Sequence, residues 1–173
     1  EYTASTEKTG LYTTRKSASA TGLNLSLRET PQTISVISRS QMDDFRLTSV
    51  NDPLPASSAI IVEKVETDRT YYTARGFDIT NFQTDGIGQP FAHGLVNGDI
   101  DTAIYDRIDA VYGANGLISG TGFPSATINF IRKRPGVDFA ATGGLSTGSW
   151  DRLRLDADVS GKLIDSGRIR GRL

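Results

Sequence analysis

The 173-residue chain has no cysteine. That excludes disulfides, thiolate metal sites and a cysteine nucleophile. It has one histidine, His93, too few for a zinc or iron centre built from several imidazoles. No apolar run approaches the roughly 20 residues of a membrane-spanning helix. Neither charge is in excess: 19 basic and 20 acidic residues are interspersed, giving a formal net charge of −1. A nucleic-acid binder normally carries a basic face, so that class is disfavoured. The polar start, "EYTASTEKTG", is not a secretory signal peptide, which needs an apolar centre.

The residues present read as a β-rich chain. Residues 1–30 hold many Thr, Ser, Gly and Ala and read as extended or mobile chain, with a short strand at Leu23, Leu25 and Leu27. Pro31 opens a β-rich run through Ile34, Val36 and Ile37. Ser40 is the expected N-cap of a short helix through Met42, Phe45 and Leu47, its hydroxyl accepting from an amide near Asp43. Pro53 and Pro55 break a second helix start, because each removes an amide donor. Strands are expected at 60–66 and within "TYYTARGFD" at 70–78, the latter ending at Gly76, and Asp85-Gly86 is a favoured hairpin turn. "GDIDTAIYDRIDAVYG" suggests a short helix capped near Asp101, then a strand through Ile108 and Val111. "ATINFIRKRP" reads as a strand ended by charge and Pro135.

After residue 150 the pattern alternates. Leu153, Leu155, Ala157 and Val159 share one face, and Arg152, Arg154, Asp156 and Asp158 share the other. Periodicity alone fits either the edge of a soluble antiparallel sheet or a transmembrane β-strand of about 9–11 residues. A turn at 165–167 and a restart in "RIRGRL" suggest the front part of a longer chain.

"GANGLISGTGFPS", residues 113–125, is a glycine loop that invites a phosphate-binding reading. A P-loop needs a lysine and a hydroxyl after its last glycine, and Gly122 is followed by Phe123. A dinucleotide fingerprint needs a third glycine in register and a following helix, and "ATINFIRK" is β-prone instead. Glycine here suits a loop turning tightly against another surface. No G-x-S-x-G elbow accompanies His93, and the adjacent Asp43 and Asp44 do not face one another on a helix. Asp99 and Asp101 fall in the expected helix entry. The chain is not expected to be an enzyme.

The order of "ETPQTISVISRSQMDDF", "YYTARGFDITNFQTDGI" and "YDRIDAVYGANGLISGTGFPSATINFIRKRP" resembles the plug domain of TonB-dependent outer-membrane receptors. The likeness is to the ferric-siderophore branch, near receptors for pyoverdine and coprogen-type hydroxamates. It implies an α+β plug, with a mixed four-stranded sheet, short helices and loops. The first strands of a 22-stranded transmembrane barrel would follow, most of it lying outside this sequence. Residues 1–24 would be an extended N-terminal segment, 25–136 the plug and 137–173 the start of the barrel.

The resemblance also implies a Gram-negative outer membrane, with lipid against Leu153, Leu155 and Val159. The siderophore would carry the iron, so no cofactor or protein metal ligand is needed. Arg69, Tyr71, Phe91 and His93 would contact the siderophore; alternation sends one of Tyr71 and Tyr72 inward. Arg75 would face acidic residues on the barrel wall and lock the plug, while the family's second basic lock position is Tyr112 here. Gly113, Gly116, Gly120 and Gly122 would form an apical plug loop. Pro53, Pro55 and Ala59 depart from the family pattern. TonB, working with ExbB and ExbD, would engage a box upstream of residue 1 by strand addition. The rival readings are an importer of haem, cobalamin or a glycan, and a soluble β-rich binding or adhesion module.

Overall fold

The computed structural model describes residues 5–57, 59–89, 91, 96–116 and 124–173. His93, Gly120 and Gly122 lie outside the described residues. The chain divides into two units, Glu1–Lys133 and Arg134–Leu173, each described by itself.

In the first unit, β1 (Lys16–Ser17) pairs antiparallel with β2 (Leu25–Ser26). There follow β3 (Ile34–Ser38), α1 (Arg39–Asp44), a 3-10 turn (Leu54–Ala56), β4 (Ile60–Lys64), β5 (Arg69–Ala74) and β6 (Phe77–Asp78). Next come β7 (Asn81–Thr84), β8 (Ile87–Gln89), β9 (Val96–Asn97), β10 (Tyr105–Tyr112) and β11 (Ala126–Arg132). The main sheet has the order β3-β10-β11-β7-β8 and is mixed, because β7 runs parallel to β11. The four expected strands gain a fifth, β8, through the Asp85-Gly86 hairpin. That turn has φ of 51° and 82°, the two positive angles of the hairpin turn that Asp-Gly favours. A second sheet joins β4, β5 and β6, with β9 against β5.

Alternation makes the main sheet two-faced. One face carries Ile37, Phe82, Ile108, Ala110, Ile128 and Phe130, all at the centre of the hydrophobic core. Phe82 meets Tyr72 and Phe91 edge-on at 5.4 and 4.9 Å, and Tyr105 stacks on Phe130 at 5.1 Å. The opposite face carries Gln83, Asp109, Thr127 and Asn129, and it too is buried.

The structure corrects the helix boundaries. The N-cap is Ser38, not Ser40: its hydroxyl accepts from Gln41 N–H at 3.2 Å. Ser40 lies inside the first turn, and its hydroxyl is turned to Thr6 O at 3.5 Å. The helix stops at Asp44, before Leu47, because Arg46 enters the left-handed region at φ 52°. Arg46 N–H then reaches Asp43 O at 3.2 Å and Leu47 N–H reaches Met42 O at 2.9 Å, a Schellman ending. Leu47 folds back on the core that holds Met42, while Phe45 stays exposed. We expect Ser38→Ala to cost about 1 kcal/mol locally. Hydrogen exchange at the Gln41 amide should then quicken about fivefold.

One further expectation fails, and another moves by two residues. No helix begins at Asp101: it forms a bridge with Ser49, and its carboxylate accepts from Ala103 N–H at 2.8 Å, closing a turn. The strand expected to end at Gly76 ends at Ala74. Arg75 and Gly76, at φ 55° and 81°, turn the chain so that Phe77 pairs with Ala74.

The second unit is a meander of β12 (Ala140–Thr147), β13 (Leu153–Lys162) and β14 (Arg170–Arg172). Leu145 lies opposite Leu155, and Ala141 opposite Val159, on one face. Leu145, Leu153 and Leu155 are largely exposed there. The other face pairs Arg154 with Asp156 at 3.1 Å and Arg172 with Asp158 at 2.6 Å. Gly144 lies opposite Asp156, where an added β-carbon would come within 2.6 Å of the carboxylate.

Candidate functional site

β5 is pleated over the core, so its odd and even residues separate. Thr70, Tyr72 and Ala74 are buried, while Arg69 is exposed and Tyr71 and Thr73 are half-buried. Tyr72 donates its hydroxyl proton to Asn51 Oδ1, and Asn51 Nδ2 donates to Asp99 at 2.7 Å. Burial pushes the Tyr72 hydroxyl pKa up, so it stays protonated. Tyr72 is therefore the core tyrosine, and Tyr71 lies on the outer face with Arg69, opposite Glu63.

Arg69 opens β5 and pairs with Asn97 of β9. Its guanidinium forks onto the Glu66 carboxylate, with Nε to Oε2 at 3.2 Å and Nη2 to Oε1 as the second arm. This hydrogen bond first, and the Glu66 charge second, push the Arg69 pKa up. The pair is exposed, so its contribution to stability is small. Chemically, it is an arginine fork held open at the surface, where oxygen atoms of a ligand can compete with Glu66 for its donors. Phe91 is placed differently: its ring is half-buried against Phe82 and joins the core packing.

Arg75 projects from the β5–β6 turn. Its Cζ lies 5.7 Å from the centroid of the Tyr112 ring, within cation–π range. Its Nη1 is 3.6 Å from where a β-carbon would sit on Gly113, which has φ 90°. Gly113 is thus needed for its backbone angle, while a β-carbon there would meet Arg75 at ordinary contact distance. The Tyr112 hydroxyl is buried and has no hydrogen-bond partner among the described residues. Gly116 is exposed.

The sequence reading missed a buried charged group on β10. A bulge between Tyr105 and Arg107 inserts one extra residue. Tyr105 and Ile108 keep to the core face, so Asp106 and Arg107 both turn to the polar face. Arg107 Nε donates to Asp109 at 3.0 Å, and both residues are almost wholly buried. The polar residues in "YDRID" were visible; the extra residue that aims them was not.

Comparison with known proteins bears on these features together. The family described as TonB-dependent Receptor Plug Domain matches residues 26–127. The ferripyoverdine receptor of Pseudomonas aeruginosa is 46% identical over 170 residues, which cover 96% of this chain and 21% of that protein. The crystal structure of that organism's receptor bound to ferripyoverdine has a TM-score of 0.90 at 46% identity, covering 96% of this chain and 23% of its own. The alcaligin outer-membrane receptor of Bordetella pertussis has a TM-score of 0.88 at 46% identity, covering 99% of this chain and 30% of its own. The chain thus spans about a fifth of the length of the curated relatives it matches. The mixed sheet, the order of its strands and the matched residues agree: the chain belongs to the TonB-dependent receptor plug domain family.

Proposed function

We propose that the protein is an outer-membrane receptor and TonB-dependent transporter that imports a ferric siderophore into a Gram-negative cell. The observation that carries this is the 46% identity, along 96% of the chain, to a receptor named for ferripyoverdine. The cargo is a pyoverdine or hydroxamate-type ferric chelate, and the iron belongs to the cargo. Residues 25–136 act as the plug and 137–173 begin the barrel, consistent with the family match at 26–127. Arg69 and Tyr71 offer hydrogen-bond donors and an aromatic edge to the chelate, with Phe91 and His93 as further contacts. Arg75, braced on Tyr112, holds the plug through carboxylates of the barrel wall. Gly113, Gly116, Gly120 and Gly122 form the apical loop. TonB, with ExbB and ExbD, supplies the energy through a segment upstream of residue 1. No covalent step is involved.

Growth of an iron-starved receptor-deletion strain complemented with the full-length gene tests the cargo. Growth on one ferric pyoverdine or hydroxamate, and not on haem, is the expected result. Rescue by haem alone, or a need for cobalamin or a glycan instead, overturns it.

The exposed Leu145–Leu155 face is read as facing lipid. Leu155→Arg in the full-length protein should then cost about 2–4 kcal/mol if it lies near the bilayer midplane. Loss of the heat-modifiable gel mobility of the folded barrel is the readout. Wild-type mobility would contradict the lipid-facing assignment.

A further inference from the structure

The cation on the outer face of β5 is already occupied. Among the described residues Arg69 makes no ion pair except the one to Glu66, and both arms of that pair are hydrogen bonds. The pair is not needed to close the turn. Val65 N–H reaches Arg69 O at 3.1 Å, which closes the β4–β5 loop through the main chain. Gly98 N–H reaches Asp68 O at 3.0 Å, and Asn97 pairs with Arg69, so β9 fixes this backbone from the other side. The Arg69 and Glu66 side chains are 46% and 56% exposed, where an ion pair adds little to stability. The Glu66 carboxylate therefore matters more for what else can reach Arg69 than for the fold.

The surroundings decide which ligands can compete. Residues 63–69 hold three acidic groups, Glu63, Glu66 and Asp68, against two basic ones, Lys64 and Arg69. A small anion finds no excess of positive charge there. It also competes with a carboxylate tethered three residues from the guanidinium, and tethering gives Glu66 a high effective concentration. A broad ligand has more to gain. Residues directly opposite one another on β4 and β5 share a face, so Ile61, Glu63, Tyr71 and Thr73 lie on the same side as Arg69. Ile61 is 66% exposed and Tyr71 is half-buried. A chelate that covers Ile61 and Tyr71 offsets the loss of the Glu66 pair by burying apolar surface, which a bare anion cannot do.

We propose that Glu66 is a specificity-determining residue of the cargo site. It stands in for the cargo on Arg69, excludes simple anions such as phosphate, and yields only to a chelate that brings oxygen acceptors together with apolar contact. The filter lowers affinity for the chelate itself, because the pair must break before the same donors can serve it. This inference rests on the reading of Arg69 as a siderophore contact.

Fluorescence titration of the full-length, detergent-solubilised receptor with ferric pyoverdine tests it, using Glu66→Gln, Arg69→Ala and the double variant. Glu66→Gln keeps the size of an exposed side chain, and Glu66→Ala serves as a second variant without the amide oxygen. At low ionic strength, where exposed pairs are least screened, Glu66→Gln should bind about two- to fivefold more tightly than the parent. In the Arg69→Ala background the same substitution should change nothing, since its partner is gone. Inorganic phosphate, compared with sodium chloride at matched ionic strength, should leave the parent unaffected and cancel the gain of Glu66→Gln. Weaker binding by both Glu66 variants overturns the proposal, because Glu66 would then be holding Arg69 in place for the cargo. So does unchanged binding, a gain that survives in the Arg69→Ala background, or a gain that phosphate leaves intact. If Arg69→Ala alone binds as tightly as the parent, the reading of Arg69 as a contact fails, and this inference with it. Failure of the parent to bind any ferric chelate would overturn the transport reading itself.

Discussion

Replacing Asp109 with alanine lowers the stability of the first unit by about 3–5 kcal/mol, the range for breaking a buried ion pair from one side. Asp109 is fully buried, and three side chains converge on it: Arg107 from its own strand, and Ser17 and Ser19. The alanine variant deprives the Arg107 guanidinium of its nearest carboxylate and leaves two buried hydroxyls without their acceptor. Asp109→Asn keeps an oxygen for the serines while removing the charge, so it separates the two losses. Hydrogen exchange of the β10 and β11 amides in the full-length receptor is the measurement. At about 1.4 kcal/mol per tenfold change, opening should increase roughly two hundred- to five thousand-fold. An effect below about 1 kcal/mol would mean that the charge is solvated by other means and that this face is not sealed.

Phe82→Ala should be comparably severe, about 3–5 kcal/mol, by the ordinary arithmetic of a large core aromatic. The ring is 1% exposed and sits between Tyr72, Phe91 and Phe130. Its removal opens a cavity where the two sheets of the plug share their core, because Tyr72 comes from β5 and Phe130 from β11. Phe82→Leu should recover part of the loss by restoring buried apolar area. The same exchange measurement, extended to β5, distinguishes the two sites. Phe82→Ala loosens both sheets, whereas Asp109→Ala acts on the main sheet and on residues 17–19. Unchanged exchange in β5 would show that the two sheets do not share one core.

Much of this architecture was legible because period-two patterning is a strong signal when one face is apolar. Leu153, Leu155, Ala157 and Val159 gave β13, and "ATINFIR" gave β11. Asp85-Gly86 announced its hairpin through residues that tolerate positive φ. Arg75-Gly76 makes the same kind of turn; Gly76 marked the strand end, but arginine is not a residue that signals a positive φ, so the end was read two residues late. The helix end was hidden for the same reason, since Arg46 rather than glycine takes the left-handed position.

Of the candidate site, alternation correctly leaves one tyrosine of the pair on the core side, and the structure identifies it as Tyr72. The fork of Arg69 onto Glu66 needs the bend between β4 and β5, which spacing does not specify. The polar face under residues 5–30 was the least legible feature. It depends on a one-residue bulge and on serines and threonines whose composition suggested mobile chain. Hydroxyl-rich segments look unstructured by hydrophobic pattern because their partners are single carboxylates far away in sequence.

The central claim is tested most directly by a fluorescence titration of the full-length, detergent-solubilised receptor with ferric and iron-free pyoverdines and hydroxamates, alongside Arg69→Ala. The account predicts tight binding of at least one ferric chelate. The Arg69→Ala variant should bind it about ten- to a hundredfold more weakly, the loss expected for charge-assisted hydrogen bonds worth about 1.5–3 kcal/mol. Unchanged binding by the variant would remove Arg69 from the site. Failure of every ferric chelate to bind the parent receptor would contradict the claim that this protein is a ferric-siderophore receptor.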